Sequence, residues 1–329
     1  ELAPGGSVVA QPAVIVFVPQ IINNVWVRPE QKIRPELFVP GNPGLRCPLR
    51  VVEGDKAAAA PPVQENHDSL SKRLRGTVPE LYCGSQLAAL DHQGRELLGS
   101  LGAFVRRKKD NKVGFITNDH VAFSGSLLFH PNRAAGICVG FRTDQFVHSV
   151  RPENWYGAFA AEPGDTEVRV DCEFLRLDLN LPKDIKIRPE LPTVGKLGDP
   201  YKIDVHANML ANDSPLIGQE VLKIGRTTGL TQGRIWAFGY EWKDEELVTR
   251  YTDFLIGPER ADGEPFSQPG DSGSLVVMKN GLRPVALMWG GYLQKFRQQR
   301  QESWTYATRL DKILDKLGVE LLTEELSTG

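Results

Sequence analysis

From Gly84 onward the chain alternates between short apolar runs and turns rich in glycine, asparagine and aspartate. "LGAFVRR", "VGFITNDHVAF", "VRVDCEFLRL", "EVLKIG", "GLTQGRIWAF", "GSLVVMKNG" and "RPVALMWGGY" follow one another with no helical period between them. Runs this short, bounded by turn residues, predict antiparallel strands that close into a sandwich or barrel, since a wound α/β sheet needs amphipathic helices between its strands. The expected class is therefore mainly β. One late segment has a different period: Leu310, Ile313, Leu314 and Leu317 recur at i, i+3, i+4 and i+7, with Gly318 placed to stop a helix. Residues 309–318 are expected as an amphipathic helix whose apolar stripe caps a barrel. No motif repeats at a fixed period, which argues against a propeller or solenoid.

The first 75 residues read differently. "PAVIVFVPQII" (12–22) predicts a buried strand and "CPLRVVEGD" (47–55) contains a second, with proline-rich connections around them. "AAAAPPVQENHD" (57–68) reads as a linker to a short helix, "SLSKRLRG" (69–76). This gives three parts: a small α/β extension over 1–75, a first barrel over 76–195, and a second barrel with the C-terminal helix over 196–329. The extension is expected as a docking segment or as one that fastens copies of the chain into a homo-oligomer. The apolar run at 12–22 is too short and too interrupted by proline to span a membrane, and no charged region precedes it as in a signal peptide. The first residue is Glu, so the sequence reads as part of a longer or processed chain.

Composition narrows the chemistry. A net charge of −2 over 329 residues gives no sequence-independent grip on phosphates, so nucleic acid is not an expected partner. The basic run "RRKKDNK" (106–112) lies between two apolar stretches and contains turn residues, which predicts a solvated hairpin tip. Cys47, Cys83, Cys138 and Cys172 form no CxxC pair and share no metal-ligand spacing with the six histidines. No metal or cofactor is expected. Reduced thiols in a chain that needs no disulfide to fold point to an intracellular compartment, the cytoplasm or, in a eukaryote, the nucleus.

Chemistry can start from "SQPGDSGSLVV" (267–277), where Ser272 stands between an aspartate and a glycine. A serine hydroxyl becomes a nucleophile only when a base takes its proton and a third group orients that base. Among the histidines His120 is distinctive, because "VGFITNDHVAF" sets it just past a strand where a turn begins. The carboxylate candidate is Asp171 in "VRVDCEFLRL"; inside an apolar strand an inward-facing charge must be paired. Pleat alternation equally permits it to face outward, and Asp178 and Asp119 are rivals. Each residue alone reads first as structural. Together they run in the order His120, Asp171, Ser272, the chain order of chymotrypsin-type triads rather than that of subtilisins or α/β-hydrolases.

"ITNDHVA", "VDCEFLRL" and "PGDSGSLVV" resemble the three catalytic motifs of chymotrypsin-fold, trypsin-like serine proteases. "KIGRTTGLTQGRI" (223–235) is similar to a hairpin of bacterial members, and "VALMWGGY" (285–292) to the strand that pairs with substrate. With "PAVIVFVPQ", "VVEGD", "CGSQLAAL" and "LGSLGAFV" added, the whole most resembles the Narrow Leaf 1-like trypsin-like proteases. The resemblance implies two antiparallel six-stranded β-barrels and a serine endopeptidase acting on intracellular proteins or peptides. Ser272 would be nucleophile, His120 base and Asp171 orienter, with Gly270 and Ser272 N–H groups as oxyanion hole. It further implies substrate contacts at Phe266, as pocket base, and at Met288, Trp289, Gly290, Trp304 and Tyr306, favouring small or apolar residues at the cleavage site. Met288 stands where the digestive enzymes carry a serine that touches the triad aspartate, so Asp171 is expected to be held less firmly. The alternative function is a protease-fold regulatory or binding protein with a latent or inactive triad; an ester hydrolase using the same triad is a third. The stretch between His120 and Asp171, including "NWYGAFAAEPGD" (154–165), exceeds what a barrel needs and is expected to shape the cleft or an interface.

Overall fold

The computed structural model describes residues 13–22, 25–39, 42–56, 68–77, 79–122, 127–134, 136–157, 166–178, 181–203, 216–244, 248–259, 264–296 and 300–325. Most of the expected linker at 57–68, and residues 158–165 of the insertion, lie outside the described residues. Contacts divide the chain into a smaller unit, residues 1–60 with 292–302, and a larger one, residues 61–291 with 303–329.

In the smaller unit β1 (Val14–Val18) pairs in parallel with β3 (Asn42–Lys56), and β2 (Glu36–Val39) pairs antiparallel with the same strand. The run expected as a buried strand is only partly covered, with Val14 and Ile15 exposed. Among the described residues β1 has β3 as its one partner strand. The helix expected at 69–76 is α1 (Ser69–Arg75), started by Asp68, whose Oδ1 accepts from the Ser71 amide at 2.6 Å. It belongs to the larger unit, where Leu70 and Leu74 join the core.

The larger unit is built of strands because its apolar runs alternate with turns at the expected spacing. After β4 (Glu80–Tyr82) come β5 (Gln86–Leu90), β6 (Glu96–Ser100), β7 (Ala103–Arg107), β8 (Val113–Thr117), β9 (Leu127–His130), β10 (Ile137–Val150) and β11 (Thr166–Leu177). Counting β6 and β7 as one strand bent at Leu101–Gly102, the ring runs β5, β6/β7, β8, β11, β10, β9 and back to β5. The basic run forms the β7–β8 hairpin tip, where Arg107 pairs with Asp110.

Short pairs follow, β12 (Lys186–Arg188) with β4 and β13 (Glu190–Leu191) with β14 (Gly195–Lys196). The second barrel uses β15 (Glu220–Gly225), β16 (Gly229–Lys243), β17 (Thr249–Pro258), β18 (Leu275–Met278), β19 (Pro284–Phe296) and β20 (Arg300–Arg309). It closes in the order β15, β16, β17, β20, β19, β18 and back to β15. Its core holds Val221, Ile235, Phe254, Phe266, Val276 and Val285. The topology is chymotrypsin-like, mainly β with two barrels.

Two further helices occur among the described residues: α2 (Asp119–Ala122) after β8 and α3 (Pro152–Tyr156) after β10. The late period gives α4 (Leu310–Leu317), whose four leucine and isoleucine positions are buried in the first-barrel core. Gly318 ends it in the left-handed conformation, and β21 (Val319–Leu321) pairs with β7. A parallel seam, Thr166–Val168 of β11 against Thr249–Tyr251 of β17, joins the barrels three residues before Asp171. No described helix is long and apolar enough to cross a membrane.

Candidate active site

His120 lies in the short helix α2, just past β8, and its side chain is 41% exposed. Asp171 lies within β11 and is fully buried. Strict alternation would set Asp171 opposite in direction to its apolar neighbours, but β11 carries an extra residue here. Val147 opposes Cys172 and Ser149 opposes Arg169, so three steps on β11 match two on β10. Asp171 absorbs this bulge with a left-handed φ of +52°, a conformation aspartate tolerates better than most residues. A bulge re-aims the side chain it carries. Asn118 fixes the turn, its Nδ2 donating to the Asp171 carbonyl at 2.7 Å.

The re-aimed carboxylate meets the histidine twice. The His120 amide donates to Oδ1 at 3.1 Å, and His120 Nδ1 lies 2.9 Å from Oδ2. An ionised carboxylate only accepts, so Nδ1 carries the proton and Nε2 is left as the basic nitrogen. Burial alone would raise the Asp171 pKa, but the hydrogen bond and charge of His120, with the charge of Arg169, hold it well below the usual carboxylate range. Asp171 stays ionised at neutral pH.

Ser272 is half-buried in the loop between β17 and β18, and its carbonyl accepts from the Ser100 amide at 2.8 Å. A Cβ on Gly99 would lie 2.5 Å from the Val121 side chain and 3.1 Å from the Ser272 carbonyl oxygen. The helix of His120 and the loop of Ser272 thus pack on the same residue. No hydrogen bond joins Ser272 Oγ to His120 among the described residues; such bonds are often long before substrate binds. Neither the Gly270 nor the Ser272 amide donates to a described acceptor, so both are available to an oxyanion. Gly270 has φ +95°, and a Cβ there would meet Thr227 Oγ1 at 2.5 Å.

Asp271 points away from the cleft into the second barrel, fully buried. Its carboxylate takes the Lys223 ammonium at 3.0 Å, the Thr227, Thr228 and Gln268 amides and the Thr228 hydroxyl. Lys223 is buried too, and burial pulls its pKa down against the pull of Asp271. This buried pair braces the 268–272 turn that carries the Gly270 and Ser272 amides.

The residues assigned to substrate binding divide. The Phe266 side chain is wholly buried in the second-barrel core, 5.7 Å from Lys223 Nζ. Beside it the Ser267 and Thr305 hydroxyls bond to each other at 2.5 Å, and a Cβ on Gly291 would lie 3.5 Å from Ser267 Oγ. Met288 also faces the core; its backbone latches the loop of Ser272, bonding the amide of Gly273 and the carbonyl of Ser274 at 3.0 Å each. Trp289 and Tyr306 have ring centroids 5.2 Å apart and join Trp242 and Tyr240 in one aromatic cluster. Trp304 is half-buried, and Gly290 has open space where a side chain would start. A cavity of about 1210 Å³ lined by Trp155, Tyr156, Phe238, Tyr251, Arg309 and Leu314 among others includes none of the three triad candidates. No cluster of potential metal ligands occurs among the described residues, and all four cysteines are unpaired.

Sequence reading missed Arg169, Lys223 and Asn118. Lys223 left a signal, since a charge in the apolar run "EVLKIG" must be paired inside; Arg169 and Asn118 left none, because their contacts depend on the bulge.

Comparison with known proteins gives a family model and several relatives. Residues 64–326 match the model of the Nal1 C-terminal domain. Protein NARROW LEAF 1 of Oryza sativa subsp. japonica is 31% identical, across 96% of this chain and 55% of that protein. A "probable serine protease" of Bradyrhizobium tropiciagri is 32% identical, across 41% of this chain and 18% of that protein. The chain thus spans about half the length of the rice relative and less of the bacterial one. Solved structures similar to it include a glutamic acid-specific serine protease (TM-score 0.46, 15% identity) and Cellulomonas bogoriensis chymotrypsin (TM-score 0.42, 17% identity). Each similarity covers 74% of this chain and all of the other.

Proposed function

The chain belongs to the Nal1 family, matching its C-terminal-domain model over most of its length, and from that premise we propose that it is a serine endopeptidase acting through His120, Asp171 and Ser272. The observation that carries this reading is the buried, ionised Asp171 receiving both the amide and the Nδ1–H of His120. That arrangement fixes the tautomer in which Nε2 can accept a proton, and it stabilises the imidazolium that forms.

Ser272 Oγ attacks the scissile carbonyl carbon while His120 Nε2 takes its proton. The carbonyl π pair moves to oxygen, and the Gly270 and Ser272 N–H groups receive the resulting oxyanion; in other enzymes losing one such donor costs about 2.7–4 kcal/mol. Collapse breaks the C–N bond, His120 gives its proton to the leaving amine, and an acyl-enzyme remains on Ser272. Water, deprotonated by His120, then repeats the sequence and releases the acid. The open space at Gly290, beside Trp289, leaves room for an extended peptide laid along β19 as a strand. Protein or peptide is accordingly the substrate class.

A fluorophosphonate probe tests the reading directly. The expected result is an adduct on Ser272 in the native chain, absent in Ser272→Ala and at least a hundredfold slower in His120→Ala, on the order of the contribution of a general base. Absence of an adduct on Ser272 in the native chain would favour a binding or regulatory protein on the protease fold.

A further inference from the structure

Asp171 has a third partner that no triad requires. Arg169, two residues earlier on β11, places Nη2 2.9 Å from Asp171 Oδ2, the same oxygen that faces His120 Nδ1. Its guanidinium lies over the Trp289 ring, 5.2 Å from the centroid, and Nε is buried with no hydrogen-bond partner among the described residues. The Arg169 backbone is tied as well, its carbonyl accepting from Thr308 Oγ1 at 3.0 Å. A side chain that leaves one donor unsatisfied in order to reach Oδ2 is held there by the ion pair and the ring. Met288 provides no hydroxyl for Asp171, and its side chain is turned into the core; the expected looseness of the carboxylate is made up from β11 itself.

We propose that Arg169 is a positioning residue of the triad, fixing Asp171 through Oδ2 and, by its charge, making His120 release its proton more readily than Asp171 alone would allow. This rests on reading these residues as a triad. The physical reason is the sharing of one carboxylate oxygen between two groups that are both cationic once His120 is protonated. Asp171 stabilises the imidazolium, and Arg169 opposes it. The other titratable groups around α2 are paired among themselves: Arg142 of β10 bonds Asp119 at 2.8 Å and Glu173 of β11 at 3.0 Å, and His148 of β10 lies 3.4 Å from Asp119.

The test is the titration of the His120 imidazole by NMR in the resting full chain, assigned with His148→Gln and His120→Gln. Arg169→Met removes charge and donor, Arg169→Gln keeps a donor without charge, and Arg169→Lys keeps the charge. The expected result is a His120 midpoint raised by about one pH unit in Met and Gln, the order of a partly screened charge at this range, and close to the parent value in Lys. Where peptidase activity is measured, the acid limb of kcat/KM moves up by the same amount. A midpoint that stays put or falls in the neutral variants overturns the proposal, and Arg169→Gln decides if Arg169→Met does not fold. Because the midpoint is read without substrate, a chain that fails to label with fluorophosphonate still shows whether Arg169 tunes His120, so the two proposals fail separately.

Discussion

At Gly273 a methyl group would lie 2.2 Å from Thr117 Oγ1 and 2.4 Å from the Ser100 carbonyl, on a backbone with φ +90°. Both neighbours belong to the first barrel, so this glycine lets the loop of Ser272 close against the strands of the barrel that carries His120. Gly273→Ala is expected to cost on the order of 2–4 kcal/mol, combining backbone strain with overpacking. Urea unfolding of the variant, followed beside fluorophosphonate labelling of Ser272, checks it. Lys223 makes a different demand. Lys223→Met leaves Asp271 buried with its amide donors but no counter-charge, and breaking one side of a buried pair costs about 3–5 kcal/mol. The same denaturation measured at neutral pH is expected to show a loss of that size, whereas exchange of the exposed Arg46 partner of Glu36 should be nearly silent. The sequence announced Lys223 by its place in an apolar run, and announced Ser272 by its glycines; it could not announce Arg169, which reads as the exposed half of an alternating strand until the bulge is known.

At the scale of elements, the period of two and the period of 3.6 were both readable, and they give α4 and the strands β7, β8, β11, β15, β16, β18 and β19, while β5, β6, β9, β10, β17 and β20 lie outside the runs read as strands. What they hid is where a strand stops being regular. Residues Val168 to Phe174 look like uninterrupted alternation, yet the residue that matters most sits in the one position where β11 gains a residue against β10. The N-terminal strand forms as expected, but its burial falls short for the converse reason: an apolar run reports a preference for burial, not whether a second partner arrives to cover it. The bulge gives the element its own prediction. Asn118, at the end of β8, bonds the Asp171 carbonyl across to β11, so Asn118→Ala removes the one described side-chain bond to that carbonyl. Loss of one buried hydrogen bond is expected to cost about 1–2 kcal/mol of stability. Because misplacement of the carboxylate passes to His120, labelling of Ser272 should fall by about tenfold or more, out of proportion to that loss. Labelling that falls no further than the folded fraction, measured on the same sample by thermal unfolding, would mean that Asn118 serves the fold alone.

For the whole molecule, the acids inside the barrels set opposite trends with pH. Asp171 has a depressed pKa, so its contribution is present above the ordinary carboxylate range and disappears as pH falls through its folded value. Glu173 runs the other way. Burial pushes it up to about 8, against the pull of Arg142, which is shared with Asp119. Asp253, bonded to the Trp155 indole and the Arg309 amide, is pushed up to about 6 by burial. An unfolded chain releases these protons near the ordinary values of 4.5 and 3.8. At these two acids the folded chain then holds more protons than the unfolded one, so their contribution to stability must decline as pH rises from about 4 to about 8, against an opposite contribution from His130, whose pKa burial pulls down. Each unit of difference is worth about 1.4 kcal/mol, so Glu173 alone contributes a decline on the order of 3–5 kcal/mol across its window. Thermal unfolding between pH 5 and 8 should therefore show a falling midpoint in the parent chain. In Glu173→Gln, which still offers Arg142 an oxygen but cannot titrate, most of that fall should vanish. A variant as steep as the parent would mean that Glu173 is already ionised in the folded barrel and that Arg142 outweighs its burial.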